Sequence, residues 1–479
     1  MARVSTRSFL FFRLSPAEEQ QHKCYLLRQG EIIKRIDAYS NQSKFKQLMH
    51  KIYSASYPVQ IIQNISNDIF SGSTPLAKGN AYVEPPNGIR FLRSGEITED
   101  GEVTSTSEIH ITEEIHNGLL RRSQLNFGDV LIAIVGATIG NVGVYESNEP
   151  SSINQAIAVV RLRNQEILPK YLCYYLKSGI GQGLLDFFKR PVARANINLE
   201  EISEIPVLIP PYIIQSDLVS SMDEARSQRK QKLAEADALL SSLDDYLLKI
   251  LGLEPPVKDE RKVFAISLQD VKSQGRLNSD YFHPERILAL RAMITAAETI
   301  NCEKLESIVD FVREKIKKPS ENYLGLAHVQ SNTGELTNVD DMATGDCFTF
   351  QTDDVLFARL RPYLNKVYCA EMDGCCSPEF HVLRIYDKNL ILPNYLAVIL
   401  RSRLILAQTI HMMTGNTHPR LTNDDVTNLL IPIPKIETQE EISQEVQRRR
   451  SEAQRLRSEA ESGWQAAKQW FEDQLLGGS

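Results

Sequence analysis

The sequence has few of the features that mark membrane, secreted or disordered proteins. Its longest strongly apolar stretch, Val130–Val135, is far shorter than the roughly 20 residues that a membrane-spanning helix needs. The seven cysteines are odd in number and include no CxxC pair, which favours a reducing cytoplasm over a disulfide framework. The residues after Met1 lack an apolar core followed by a small-residue cleavage site, so we expect no secretory signal.

An overall excess of basic charge is also absent. With 54 Lys and Arg against 61 Asp and Glu, the net charge is -7, which argues against a protein that coats nucleic acid nonspecifically. Two basic clusters nevertheless occur, at positions 161–194 and 401–420. Solvated helix faces explain any single charge equally well. Two clusters at equivalent positions of a repeat instead favour a functional surface.

Motifs for catalysis are missing as well. Gly136–Gly143 is glycine-rich after a predicted strand but has neither GxGxxG nor a following GK[ST], so it indicates no nucleotide-binding loop. Pro210-Pro211-Tyr212 has the tail of an amino-methyltransferase motif, yet Ile209 stands where that motif needs an Asp or Asn acceptor. Glu260–Lys262 has a nuclease-like ExK spacing within a linker. The sequence therefore predicts no catalytic residues and favours a binding protein over an enzyme.

No metal site is predicted either. The cysteines of the second half and one histidine cluster along the chain but lack the usual zinc-ligand spacing, so we interpret them as buried structural groups, with a metal as the alternative. This group consists of Cys347, Cys369, Cys375, Cys376 and His381.

The chain repeats itself at a spacing of about 224 residues. A period this long predicts two domains related by pseudo-symmetry rather than a solenoid. The repeated segments are Asp129–Leu131 with Asp354–Leu356, Ile167–Leu172 with Ile391–Leu396, and Ile209-Pro210 with Ile433-Pro434, and Gln215 and Gln439 each follow five residues after the proline.

Each half is predicted to combine a mixed globular part, here called a head, with a long helix. Period-2 and apolar patterns predict strands at 130–135, 157–162, 205–209 and 429–433, whereas a proline in the first turn marks helices at 169–177 and 393–402. The predicted fold is α+β, with two pseudo-symmetric mixed heads joined by two long antiparallel coiled-coil helices.

The predicted coiled-coil seam follows a 4,3 spacing of apolar residues over about five heptads in each helix. The simplest arrangement packs the two helices on each other; two separate surface helices are the alternative. The main seam positions are Leu218, Met222, Leu239, Leu243 and Tyr246 in the first helix and Ile442, Val446, Leu456 and Trp470 in the second.

These patterns divide the chain into six segments. The predicted domains are an N-terminal helical lead-in at 1–57, the first head at 58–211, the central helix at 212–254, a linker and second lead-in at 255–300, the second head at 301–436, and the C-terminal helix at 437–476.

Several of these segments resemble a known family. Phe127–Ala133, Ser152–Ala156 and Ile209–Pro211 in the first half are similar to a target-recognition domain of the type I restriction-modification specificity subunits. Asp354–Val367 and Cys376–Phe380 resemble the same family in the second half. The resemblance covers roughly residues 58–476 and depends on the order of the segments, which occurs twice.

The resemblance implies a non-catalytic subunit that reads double-stranded DNA in phage defence. Each head would read one half of a bipartite sequence, and the helices would set the gap. Two methyltransferase subunits would methylate adenine with S-adenosylmethionine, and restriction subunits would use ATP and magnesium; this chain itself would bind no cofactor. The alternative is a coiled-coil adaptor with two protein-binding heads in a defence complex.

Sequence readers need forked donors on base edges and cations on phosphates. Arg359 and Arg361 alternate on a predicted strand, so both are expected on one face, and Lys366 follows a turn. Surface salt bridges are the competing interpretation of each candidate. The remaining DNA-binding candidates are Arg90, Arg93, Lys189, Arg190 and Arg194 in the first head and His418 and Arg420 in the second.

Overall fold

The computed structural model describes most of the chain, and the chain divides into two compact units. The first unit comprises residues 1–231 and 459–479, and the second comprises residues 232–458. No helix within the described ranges combines the length and the hydropathy needed to cross a membrane. The described ranges are 9–13, 24–28, 42–76, 80–104, 109–163, 166–189, 196–254, 261, 263–274, 278–296, 300–317, 322–343, 345–413 and 417–477.

The first unit contains two four-stranded sheets. Its strands are β1 (Phe9–Arg13), β2 (Cys24–Arg28), β3 (Val59–Ile61), β4 (Ser66–Ser71), β5 (Tyr82–Val83), β6 (Ile89–Leu92), β7 (His110–Ile111), β8 (Val130–Ala133), β9 (Val142–Val144), β10 (Ser151–Ile153), β11 (Ile157–Leu162) and β12 (Pro206–Leu208). Its helices are α1 (Ser43–Ser54), α2 (Ile62–Ile65), α3 (Glu113–Asn117), α4 (Pro169–Lys177), α5 (Gly179–Phe188) and α6 (Leu199–Ser203). The long helix α7 (Tyr212–Ser241) begins in this unit.

The second unit repeats this order of elements. Its helices are α8 (Leu243–Leu251), α9 (Leu268–Gln274), α10 (Pro284–Ala296), α11 (Leu305–Ile308), α12 (Pro393–Leu400), α13 (Arg403–Thr409) and α14 (Asn423–Thr427). The long α15 (Ile436–Leu476) begins in this unit, and its residues from 459 belong to the first unit. Its strands are β13 (Asn301–Lys304), β14 (Val309–Val312), β15 (Lys315–Ile316), β16 (Tyr323–Leu324), β17 (Cys347–Phe350), β18 (Val355–Ala358), β19 (Val367–Cys369), β20 (Gly374–Cys376), β21 (Phe380–Ile385) and β22 (Leu430–Ile433).

One four-stranded sheet has the same topology in both heads, whereas the other keeps only its parallel strand pair. The antiparallel sheet β4-β11-β8-β9 of the first head corresponds to β14-β21-β18-β19 of the second. The antiparallel pair β3 and β12 corresponds to β13 and β22, and the parallel pair β6 and β10 corresponds to β16 and β20. The predicted α+β fold with two related heads is therefore confirmed.

Matched buried ion pairs stabilise the central strands of both heads. Asp129, just before β8, receives two hydrogen bonds from Arg161 on β11, from Nε at 2.9 Å and from Nη2 at 2.7 Å. Asp354 and Arg384 form the same fork at 2.8 and 2.7 Å. Each carboxylate is only 2% exposed, so its charge needs this partner. The repeated Asp-Val-Leu segments thus serve the packing of the sheets.

The predicted strands and helices of the heads are found, with small shifts at their ends. Ile157–Leu162 and Pro169–Lys177 are confirmed as predicted. The helix expected at 393–402 ends at Leu400, because Ser402 caps the next helix by accepting a hydrogen bond from Ile405 N–H. The strand expected at 130–135 ends at Ala133, shortly before Gly136 turns the chain at a φ of 86°.

The lead-in at 1–57 is less helical than predicted. Phe9–Arg13 and Cys24–Arg28 form an antiparallel strand pair, so the helical prediction is wrong for these two segments. Both are rich in aromatic and long apolar residues that favour strands. Ser43–Ser54 is helical as expected, and the helix predicted around Glu31–Ile36 lies outside the described residues.

The long helices pack on each other within the second unit. Arg457 pairs with Asp237 at 3.0 Å, and Arg449 donates to the Ser242 hydroxyl at 2.9 Å. Residue numbers rise along one helix while they fall along the other, so these segments run antiparallel, as predicted. Their shared apolar cluster is small and consists of Ala236, Ala453 and Leu456, with Leu239 and Leu240 partly buried against it.

The outer seam positions are buried in clusters that contain both long helices and the cores of the heads. Leu218 and Met222 are buried in the first head's core, together with Trp464 and Phe471 of α15. Ile442 and Val446 are buried in the second head's core, against which Leu243 and Tyr246 are partly buried. The predicted seam is therefore continuous with the cores of the two heads, and its register is wrong only towards the end of α15, where Phe471 is buried instead of Trp470.

Two further details of the seam need correction. The central helix is interrupted at Ser242, so α7 and α8 are separate helices. In α8, Leu247 is buried, whereas the predicted seam residue Leu243 is only partly buried. Trp470 is 40% exposed, whereas its neighbour Phe471 is fully buried. A straight α-helix drifts about 20° per heptad from a 3.5-residue repeat. Over the four heptads from Ile442 the drift reaches about 80°, close to the 100° that separates neighbouring residues. The buried position predicted for Trp470 is therefore occupied by Phe471.

Candidate nucleic-acid interface

Three loops meet beyond the ends of β18 and β21 in the second head. The Arg359 N–H donates to the Glu379 carbonyl at 2.9 Å, and the Arg359 carbonyl accepts from Leu421 N–H at 3.0 Å. The Arg361 N–H donates to the Pro419 carbonyl at 2.8 Å. These backbone bonds bring together four of the predicted residues, here called the arginine cluster: Arg359, Arg361, His418 and Arg420.

Glu379 is the acidic partner of this cluster. Arg420 grips its carboxylate with two hydrogen bonds, Nε to Oε2 at 3.0 Å and Nη2 to Oε1 at 2.7 Å. The hydrogen bonds from Arg420, with the charges of Arg420, Arg359 and His418, outweigh burial and lower the pKa of Glu379. The same fork raises the pKa of Arg420. Glu379 thus faces the positive charges of Arg420 and Arg359, and with Arg361 the cluster keeps a net positive charge.

Arg359 retains unused donor capacity. Its Nε is buried and makes no hydrogen bond to any described residue. A buried guanidinium N–H without a partner is costly.

Arg361 holds a strained backbone. Its φ and ψ are 49° and 62°, in the left-handed region, which non-glycine residues adopt rarely. The following Pro362 also disfavours helical backbone angles at its neighbour. Strain of this kind costs about 1–3 kcal/mol and is concentrated at functional sites. The side chain of Arg361 is exposed.

The prediction that Arg359 and Arg361 share one strand face is wrong. Strand β18 ends at Ala358, and the left-handed turn at Arg361 ends the extended conformation. The two arginines nevertheless come together with His418 and Arg420, through backbone bonds between loops that no strand pattern reveals.

His381 lies beneath the cluster as a neutral group. It is 5% exposed and packs edge-to-face on Phe311, with ring centroids 5.9 Å apart. Burial, and then the charges of Arg359 and Arg313, lower its pKa to about 4. Sequence reasoning missed Glu379 and Arg313 as site residues. Their positions could have indicated them, since Glu379 lies in the loop just before β21 and Arg313 lies at the end of β14.

Lys366 does not join the cluster. Its Nζ donates to the Leu326 carbonyl at 2.7 Å, and burial lowers its pKa. This contact directs the ammonium group to the backbone of its own head.

The first head disperses its predicted cations. Arg90 is 8% exposed, and its Nη2 donates to the Thr104 carbonyl at 2.7 Å, which ties the guanidinium into the fold. Arg93 is exposed at the start of a short 3-10 turn, and Lys189 is half-buried after α5. Arg190 and Arg194 lie outside the described residues.

The backbone frame of the arginine cluster is present in the first head with different side chains. The Ile134 N–H donates to the Ala156 carbonyl at 2.9 Å, and the Ile134 carbonyl accepts from Ile197 N–H at 3.1 Å. Val135 bridges Asn196, as Leu360 bridges Arg420. Among the described residues, the first head has uncharged residues at three cluster positions and at the position of Glu379: Ile134 for Arg359, Gly136 for Arg361, Asn196 for Arg420 and Ala156 for Glu379. The position of His418 corresponds to Arg194, which lies outside the described residues.

Metal-ligating side chains converge elsewhere in the second unit. Among the described residues, His283, Glu285 and His411 bring one ligand atom each to within 4.8 Å of one another. Burial and the nearby His283 lower the pKa of His411, although its hydrogen bond to Glu285 opposes this. Sequence reasoning missed this group because His411 is far along the chain from the short His-x-Glu segment. Among the cysteines, Cys347, Cys375 and Cys376 are buried free thiols, and burial raises the pKa of Cys369 to about 12.

Comparisons with known proteins identify related sequences. The profile of the family described as "Type I restriction modification DNA specificity domain" matches residues 68–235 and 304–449. The Type I restriction enzyme EcoBI specificity subunit of Escherichia coli is 28% identical over 205 residues, 42% of this chain and 41% of that protein. The EcoDI specificity subunit of Escherichia coli is 23% identical over 261 residues, 50% of this chain and 56% of that protein.

Solved structures show a weaker likeness. The S subunit of a type I restriction-modification system from M. genitalium has a TM-score of 0.43 and 12% identity, covering 88% of this chain and 96% of that one. By sequence, the chain spans about half the length of the curated relatives it matches.

Proposed function

Because the chain belongs to the family of type I restriction modification DNA specificity domains, we propose that it is the DNA-recognition subunit of a type I restriction-modification complex. Each head reads one half of a bipartite double-stranded target. The observation that carries this proposal is the arginine cluster of the second head, built on a backbone frame that the first head repeats with other side chains.

The chemistry of the cluster fits base readout. Arginine presents a planar fork that matches the O6 and N7 acceptors of guanine in the major groove. Arg361 is exposed and Arg359 is half-buried, whereas the Glu379 fork fixes the orientation of Arg420. Because the first head has Ile134, Gly136 and Asn196 in this frame, the two heads would prefer different half-sites.

The catalytic steps belong to partner subunits in this proposal. Two methyltransferase subunits bind the helical region and methylate adenine with S-adenosylmethionine, and restriction subunits, where present, use ATP and magnesium. This chain contributes no catalytic residue and holds none of these cofactors. Its role is to select the site and to set the gap between the half-sites.

Methylation mapping tests the proposal. Single-molecule sequencing of DNA from cells with and without this gene is expected to show adenine methylation at one split motif that disappears with the gene. If the methylation patterns are identical, and no methyltransferase copurifies with the chain, the proposal is wrong and the adaptor alternative gains support.

A further inference from the structure

A His-Glu-His group joins two separate segments of the second unit. His283 and Glu285 flank Pro284, the first residue of α10, and His411 follows the end of α13. The His411 Nε2 lies 3.2 Å from Glu285 Oε2, and the rings of His283 and His411 stack with centroids 3.8 Å apart at 11°. The side chains of His411 and Glu285 are 17% and 19% exposed.

The spacing of the ligand atoms matches a transition-metal site. Zinc binds imidazole nitrogen and carboxylate oxygen at about 2.0–2.2 Å, so two ligand atoms of a tetrahedral site lie about 3.3 Å apart. The pair formed by His411 and Glu285 is already at 3.2 Å, and all three ligand atoms are within 4.8 Å. Side-chain rotation has to close the remaining gap, and this rotation must also separate the two stacked rings.

We propose that His283, Glu285 and His411 bind one zinc ion. Two imidazoles and a carboxylate favour zinc over magnesium or calcium, which prefer all-oxygen ligands. The Glu285 N–H donates to the Nδ1 of His283 at 3.4 Å, so metal binding through the Nε2 of that ring requires this long hydrogen bond to break and the proton to move to Nδ1. Water, or the nearby Asp280 carboxylate, completes the fourth position.

A hydrogen bond between His411 and Glu285 alone accounts for less of this geometry. It does not explain why His283, on the other side of Pro284, brings a third ligand atom to the same place, which a metal would explain. Binding requires the stacked rings to turn until both ring planes contain the ion. The effect of the zinc ion would be structural, because it would hold α10 against the segment after α13. That segment leads towards the arginine cluster, since His411 is seven positions before His418.

Zinc titration of the full chain tests the site. The untagged protein is stripped with a chelator and titrated with zinc chloride by calorimetry; we expect one saturable zinc ion per chain and a higher unfolding temperature. His411→Ala is expected to weaken zinc binding at least roughly tenfold, and His50→Ala, an exposed histidine of α1, to leave it unchanged.

A second variant separates loss of the site from loss of the fold. Glu285→Gln keeps the size of the side chain but weakens the ligand, and circular dichroism checks that it folds. Cobalt substitution adds a spectroscopic readout, since a tetrahedral site produces visible d–d absorption that Glu285→Gln should reduce. The proposal is overturned if the intact chain binds no stoichiometric zinc, or if the histidine and glutamate variants bind it as tightly as the unaltered protein.

Discussion

Gln439, in the first turn of α15, holds the backbone of Leu392 just before α12. Its Oε1 accepts a hydrogen bond from the Leu392 N–H at 2.9 Å, while its Nε2 donates to the carbonyls of Leu390 and Pro434, both at 2.9 Å. Gln215 makes the same three bonds in the first head, to Leu168, Glu166 and Pro210. Both glutamines are fully buried. Each amide therefore fixes the start of a long helix to its own head.

Replacing Gln439 with leucine is expected to destabilise the second unit. The change fills the space but leaves one N–H and two carbonyls unpaired, and each buried orphan costs about 1–3 kcal/mol. We expect a loss of about 2–4 kcal/mol in the free energy of unfolding, measured by urea denaturation of the full chain. Gln444→Leu, an exposed position of the same helix, is the control. Equal stability of the two variants would contradict the role of the amide.

The repeat in the sequence identifies these glutamines as equivalent residues, but it does not show what they bind, because their hydrogen-bond partners are distant along the chain. Gln439 and Leu392 are 47 positions apart, so no local pattern links them. Local rules located the strand Ile157–Leu162 and the helix Pro169–Lys177 because each is strongly apolar and sharply bounded. They misplaced Arg361, because a left-handed arginine before proline contradicts the local preference on which such predictions depend.

The helix seam shows the same limit over a longer distance. A heptad pattern assumes a partner helix that keeps the same face in contact, whereas the end of α15 packs on the first head and follows the 3.6-residue period instead. Trp464 is consequently 5% exposed, whereas Trp470 is 40% exposed.

Alanine substitution of these two tryptophans tests that correction. Trp464→Ala removes a buried ring next to Tyr174, with ring centroids 6.4 Å apart, and is expected to cost about 3–5 kcal/mol of unfolding free energy. Trp470→Ala should cost less than about 1 kcal/mol, as surface substitutions do. Thermal unfolding of the two single variants provides the comparison. If Trp470→Ala loses more unfolding free energy than Trp464→Ala, the predicted heptad register with Trp470 in the seam is correct after all.

Arg361 offers a test that separates stability from recognition. Arg361→Gly removes the side chain and also relieves the left-handed backbone, so we expect a stability gain of about 1 kcal/mol. Arg361→Ala removes the same side chain but keeps the strain. Under the proposed function, both variants should reduce discrimination at one half-site by a similar factor.

Methylation mapping and thermal unfolding of the two Arg361 variants supply both readouts. The expected pattern is equal relaxation at one half of the motif, an unchanged other half, and a higher melting temperature for the glycine variant. Unchanged sequence preference in both would exclude Arg361 from base readout, and equal melting temperatures would show that its backbone carries no strain.

His381 predicts a dependence of stability on pH. Its pKa is about 4 in the folded protein against an ordinary 6.5, so between these values the unfolded chain binds more protons. Stability must then fall as pH decreases from 6.5 to 4, by up to about 1.4 kcal/mol per pH unit from this group. The slope follows from burial against Phe311 and Phe357 and from the charges of Arg359 and Arg313.

His381→Leu should flatten that slope, because leucine fills the apolar site and binds no proton. Urea unfolding at several pH values between 4 and 7 measures it, with His50→Leu at an exposed position as the matched control. At pH 7 the two variants differ only through packing, so the informative quantity is the change with pH. If His381→Leu keeps the full slope of the unaltered protein, the acid sensitivity arises from other groups and the pKa of His381 is not lowered in the folded head.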